Sequence, residues 1–174
     1  DYDDYVARFS ADSTSAVKFR ARIPVDNQTL KVPMTLHGHS ESRREDIRHV
    51  IVSSQRFLEP LTRSQRRECV GNLGRVDIYH VPCSTLNWDG LVDELNEGYV
   101  HREVSVVLGL TAGQYNGANR KDYVVGYCFD ELVRRTSKIS YDDDKHWREV
   151  ALAHEMAHVW LDACYPIKAL LDQN

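Results

Sequence analysis

The four cysteines of this chain, Cys69, Cys83, Cys128 and Cys164, never stand in C-x-x-C spacing. That argues against a cysteine zinc knuckle. Long apolar runs are missing too. The longest, Val104–Leu110, is interrupted by Ser105 and Gly109 and falls far short of the ~20 residues a membrane helix needs. No strong charge of one sign is present. The formal net charge of -4 argues for neither nucleic acid nor an acidic membrane surface as partner. No repeat, low-complexity tract or linker divides the 174 residues, so 1–174 reads as one domain, expected to be a monomer. The chain opens on Asp1-Tyr2-Asp3-Asp4 without an initiator methionine or apolar leader, as a processed mature form or trimmed chain does.

What is present is a hydrophobic fraction of 42%, enough for a core, and one motif of high information. Ala153-His154-Glu155-Met156-Ala157-His158-Val159-Trp160 contains H-E-x-x-H. On a helix the two histidines leave one face a turn apart. Their ring nitrogens can then converge on one Zn²⁺ at about 2.0–2.1 Å. Glu155 follows the first histidine and can act as general base toward water. The flanks Val150, Ala151, Leu152, Val159 and Leu161 are apolar, which predicts a helix buried almost all round. A polar stripe of His154, Glu155, His158 and Asp162 inside it would need a metal partner. The competing reading is a helix whose histidines are hydrogen-bonded in the core.

The even cysteine count predicts two disulfides and an oxidising compartment. Three pairings are possible, and Cys69–Cys83 with Cys128–Cys164 is the one expected. The sequon Asn27-Gln28-Thr29 adds weak support for secretion.

Alternation over Lys18–Val25 and Thr29–Leu36 predicts a β-hairpin after an irregular 1–17. Ser42-x-x-Glu45 reads as a capping box before a helix over 43–59, which Pro60 stops. A short helix is expected over Thr62–Val70, a strand over Arg75–Val81, a helix over Asn87–Asn96 and a Val-rich strand over Arg102–Leu110. Thr111–Asp122 reads as a loop. Tyr123–Phe129 and Thr136–Tyr141 read as strands. Asp142-Asp143-Asp144 then caps the motif helix, 145–163, rather than binding Ca²⁺. The fold class is α+β, with a mixed sheet, the motif helix and at least one backing helix.

The motif resembles that of the zincin metallopeptidases. Upstream, Val106-Val107-Leu108-Gly109-Leu110-Thr111, a Gly/Asn loop and Tyr123-Val124-Val125-Gly126-Tyr127-Cys128 are similar in order to adamalysin-type metzincins. The resemblance covers roughly 102–160 and implies a twisted sheet with a strand near the substrate cleft. It departs after His158. Metzincins continue with x-x-G-x-x-H, whereas Val159-Trp160-Leu161-Asp162-Ala163-Cys164 follows here. Neither the third histidine nor the Met-turn can be carried over, because the only methionines are Met34 and Met156.

A catalytic zinc needs three protein ligands. Asp162 is one candidate, but eight residues of unbroken helix span about 12 Å, so it reaches the ion only if the helix breaks after His158. Orienting a neighbour by hydrogen bond suits it better. Gluzincins take a Glu from a later helix, and the residues here end at Asn174, with Asp172 the other downstream carboxylate. His37 and His39 are upstream candidates, or else a polar turn. His49, His80, His101 and His146 read as structural or solvent-facing.

Arg-rich 43–75 is interleaved with acids and reads as a solvated helix face. Trp88, Trp147 and Trp160 read as core. Tyr165 is a packing residue or an oxyanion donor. The expectation is a secreted zinc endopeptidase with a protein or peptide substrate, no nucleic-acid or membrane partner, His154 and His158 on Zn²⁺ and Glu155 as base. The alternative is an inactive zincin-fold domain that binds zinc or protein, or a metal enzyme acting on something other than peptides.

Overall fold

Two ten-residue runs open the sheet as an antiparallel pair, β1 (Ala16–Val25) and β2 (Gln28–His37). The computed structural model describes residues 1–11, 16–25, 28–91, 107–117, 119–131 and 144–165. β2 lies parallel to β3 (Leu73–His80), and β3 lies parallel to β5 (Lys121–Tyr127). β4 (Gly109–Tyr115) runs antiparallel along β5 and closes that edge, giving the order β1-β2-β3-β5-β4. A parallel pair needs a crossover. Between β2 and β3 it is made by α2 (Arg44–Ser54), a 3₁₀ turn (Gln55–Leu58) and α3 (Arg63–Gly71). α1 (Tyr2–Ala11) precedes the sheet, α4 (Cys83–Leu86) follows β3, and α5 (Asp144–Cys164) carries the motif.

Side chains alternate across a strand, and β5 shows the consequence. Tyr123, Val125 and Tyr127 join a core with Ile47, Ile51, Val70, Met156 and Trp160, so α2, α3 and α5 cover that face. Val124 and Cys128 join a second core with Phe9 of α1 and Leu86 of α4 on the other. The layout is α+β with a mixed five-stranded sheet, as the sequence implies. Trp160 is fully buried and anchors α5. Its Nε1 donates to Ser54 Oγ at 2.8 Å, and that hydroxyl donates to the Ile51 carbonyl at 2.6 Å. A buried indole N–H therefore stays satisfied, and truncation to alanine would cost about 3–5 kcal/mol.

Several expectations are corrected. Residues 2–11 form a helix rather than an irregular segment. Tyr2, Tyr5, Val6 and Phe9 fall at helical spacing and pack on the sheet. Phe9 lies where a Cβ on Gly126 would be, 2.6 Å from its ring. The Ser42–Glu45 capping box does not form. A 3₁₀ turn precedes α2, its N-cap is Arg43, and Ser42 Oγ meets Ser40 Oγ at 3.0 Å. A full capping box instead opens α3, between Thr62 and Gln65.

The expected Thr111–Asp122 loop is largely strand. β4 takes Gly109 to Tyr115, and only a tight turn with Gly117 at φ +84° remains before β5. Ladder pairing to β5 overrides the weak β-propensity of Gly, Ala and Gln here. Of the expected strand over Arg102–Leu110, Gly109 and Leu110 are strand and 107–108 are not, while 102–106 lie outside the described residues. So do Thr136–Tyr141, Asp142, Asp143, Asn27 of the sequon, and the helix expected over Asn87–Asn96 beyond Leu91.

Both disulfides form, with the other pairing: Cys69–Cys164 and Cys83–Cys128, at Cα–Cα 5.0 and 5.1 Å. The topology explains the correction. β3 and β5 are parallel neighbours, so the residues just past them, Cys83 and Cys128, emerge side by side. α3 and α5 cover one face of the sheet, which brings together Cys69 and Cys164. Each bridge contributes on the order of 2–5 kcal/mol. Among the described residues, no helix is long and apolar enough to cross a membrane.

Candidate metal centre

α5 is not buried all round, contrary to its sequence pattern. Leu152, Met156, Val159 and Trp160 face the core, while Val150, His154, His158, Leu161 and Asp162 are exposed. The apolar flanks misled because Val150 and Leu161 stand on the outer face, at either end of the histidine stripe. Both imidazoles are thus open to solvent, and neither is a core histidine.

The Nε2 atoms of His154 and His158 are 3.1 Å apart. Two ligands each about 2.0–2.1 Å from one ion at the tetrahedral angle would be about 3.3–3.4 Å apart. The two rings lie at hydrogen-bonding distance from each other, and a shift of a few tenths of an ångström would suit one ion between them. An oxygen of Glu155 belongs to the same group, all of whose donor atoms lie within 4.8 Å of one another. Among the described residues, no other histidine, cysteine or carboxylate joins them. These donors suit a divalent transition metal, since imidazole is a ligand for zinc, copper, iron and nickel alike.

Glu155 differs from its neighbours. It is only 5% exposed, against the sheet edge. Thr111 Oγ1 of β4 donates to its Oε2 at 2.5 Å. Burial holds the carboxyl above its ordinary pKa, partly offset by the Thr111 hydrogen bond and by the charges of His158 and His154. A buried carboxylate with a raised pKa beside two exposed imidazoles has the environment of a general base.

The other candidates lie elsewhere. α5 runs unbroken through Cys164, so the break that Asp162 would need is absent. Its Oδ2 accepts from Lys121 Nζ at 2.7 Å and Tyr123 Oη at 2.6 Å. Burial acts to raise the Asp162 pKa, but these bonds outweigh it and the carboxyl titrates below its ordinary value. His37 Nε2 meets Asp77 at 2.9 Å, and its ring stacks on Tyr79. His39 is buried, with Nε2 2.7 Å from Tyr127 Oη. Neither joins the motif. His49 and His146 are exposed. Tyr165 donates to the Phe57 carbonyl at 3.2 Å, a packing contact. Asp172 and His101 lie outside the described residues. Sequence reasoning missed Thr111, because the segment that holds it read as a loop.

No family model matches this chain, and neither a curated protein nor a solved structure is detectably similar to it.

Proposed function

We propose that this protein is a secreted zinc endopeptidase of zincin type. The observation that carries the reading is the contrast within one turn of α5. Two exposed imidazoles converge to 3.1 Å while the carboxylate between them in sequence is buried against an edge strand. The zincin resemblance implies a strand near the cleft, and two disulfides suit an oxidising compartment.

His154 and His158 would hold the ion through neutral imidazoles. Zinc there supplies a Lewis acid that polarises a carbonyl and makes water nucleophilic near neutral pH. Glu155 takes the proton from the attacking water and passes it to the leaving amine. The strand expected to pair with an extended peptide is Arg102–Leu110; its last two residues, Gly109 and Leu110, open β4, which is an edge strand among the described residues.

A second reading is a zinc- or protein-binding domain without turnover. It is favoured by the count of donors, since Glu155 is the third member of the group among the described residues. As a ligand it could not also serve as base. Zinc content and peptide hydrolysis of wild type and Glu155→Gln separate the two. The enzyme keeps about one zinc per chain in the variant, while turnover falls at least about 100-fold. If zinc is lost with Glu155, or if wild type with zinc cleaves no peptide, the binding reading replaces the enzyme.

A further inference from the structure

We propose that Thr111 is the positioning residue for Glu155 and that Gly109 provides its clearance, so that strand β4 sets which carboxylate oxygen is left to work. The kinetic part of this inference rests on the peptidase reading above.

Gly109 and Thr111 are two residues apart and therefore on one face of the strand. That face meets α5. Thr111 Oγ1 lies 2.5 Å from Glu155 Oε2 and 3.4 Å from the Glu155 carbonyl oxygen. A hydroxyl has one proton, and the shorter bond to the carboxylate is the charge-assisted one. Oε2 is thereby engaged. On the other side, a Cβ at residue 109 would fall 2.5 Å from Glu155 Cγ and 2.6 Å from Oε1. Any side chain there would push the carboxylate away. The glycine lets the carboxylate, Oε1 included, lie close against the strand.

The support is rigid. Thr111 is paired with Val125 in the β4–β5 ladder, and Gly109 with Tyr127. A β-branched side chain on a strand is also stiff at χ1. Glutamate has three rotatable side-chain bonds and otherwise scatters among rotamers. A group held on regular structure keeps its geometry better than one held by a loop.

The test uses Thr111→Val, which keeps the shape and removes the donor, with Thr111→Ser and Gly109→Ala. Zinc content, kcat, KM and the urea midpoint are measured for each. Thr111→Val should keep its zinc and its KM while kcat falls at least about 10-fold, the order expected for a misplaced reacting group. Thr111→Ser should return kcat to within about threefold of wild type, and Gly109→Ala should lower it. The urea midpoint should drop on Thr111→Val in wild type and stay unchanged on the same replacement in Glu155→Ala. An unaltered kcat in Thr111→Val, a serine variant no better than valine, or an equal midpoint drop in both backgrounds would overturn the proposal. A zinc-loaded wild type without turnover sinks the peptidase reading instead. The urea cycle then decides the Thr111–Glu155 clamp by itself.

Discussion

His154 and His158 stand on the outer face of α5 with their ring nitrogens 3.1 Å apart. His39 and His80, past the end of β2 and at the end of β3, form a second cluster, packed about Tyr127 with ring centroids 5.0–5.8 Å apart. The residue type is the same and the physics is opposite. Burial first, then neighbouring charge, pushes the His39 pKa down to about 3 and that of His80 to about 4. Arg43 acts on both rings, and Arg148 on His80. Asp130 and the backbone bonds of His37 and Gly38 pull weakly the other way. A second cation is unwelcome beside two guanidinium groups, so the buried pair stays neutral packing. The exposed pair keeps its ring nitrogens at the surface, within 3.1 Å of each other. Spacing alone does not make a metal site; the ring nitrogens must also be accessible and free to stay neutral.

The sharpest way to break this contrast is metal content. His158→Ala should lose essentially all zinc, by elemental analysis of purified protein, whereas His80→Gln should keep it. Zinc that departs with His80 instead would move the site to the buried cluster. Next in size is the acid response. The folded pKa values of His39 and His80 lie below the ordinary value of 6.5. The unfolded chain therefore binds more protons over this range. Their contribution is complete above about pH 6.5 and declines as pH falls toward 4 and 3. Thermal midpoints of wild type should drop over that window by several degrees, at roughly 2–4 °C per kcal/mol. His39→Gln with His80→Gln should show a shallower decline, and a slope identical to wild type would refute the assignment. The smallest effect is expected at Asp162→Asn. Loss of its charge-assisted bonds to Lys121 and Tyr123 should cost about 1–2 kcal/mol in urea unfolding. Zinc content should not change, and its loss would return Asp162 to the ligand set.

Much of this layout can be read from local pattern. The β1–β2 hairpin, the β3 and β5 strands and the motif helix follow from periodicity because each is long and its core face regular. His154 and His158 lie together because helical spacing dictates it, whereas the placement of the Glu155 carboxylate depends on β4. β4 was hidden because Gly109, Ala112, Gly113 and Gln114 carry no strand signal, and pairing with β5 makes them one. With β4 hidden, the donor to Glu155 was hidden as well. The exposure of α5 was equally out of reach, since Val150 and Leu161 look like core until the sheet shows which side of the helix it covers. Helix α1 was the avoidable miss. Its Tyr2, Tyr5, Val6 and Phe9 carried the period, masked by acidic neighbours.

The two disulfides are nested in sequence: the bridge between Cys83 and Cys128 lies wholly inside the ring closed by Cys69 and Cys164. A single cut anywhere between residues 69 and 164 therefore leaves one covalent molecule, and within 83 to 128 both bridges span the break. A nicked chain would run as intact protein until its disulfides were reduced. For a protein proposed to cleave peptide bonds, that architecture turns accidental self-cleavage into damage the molecule can carry without falling apart.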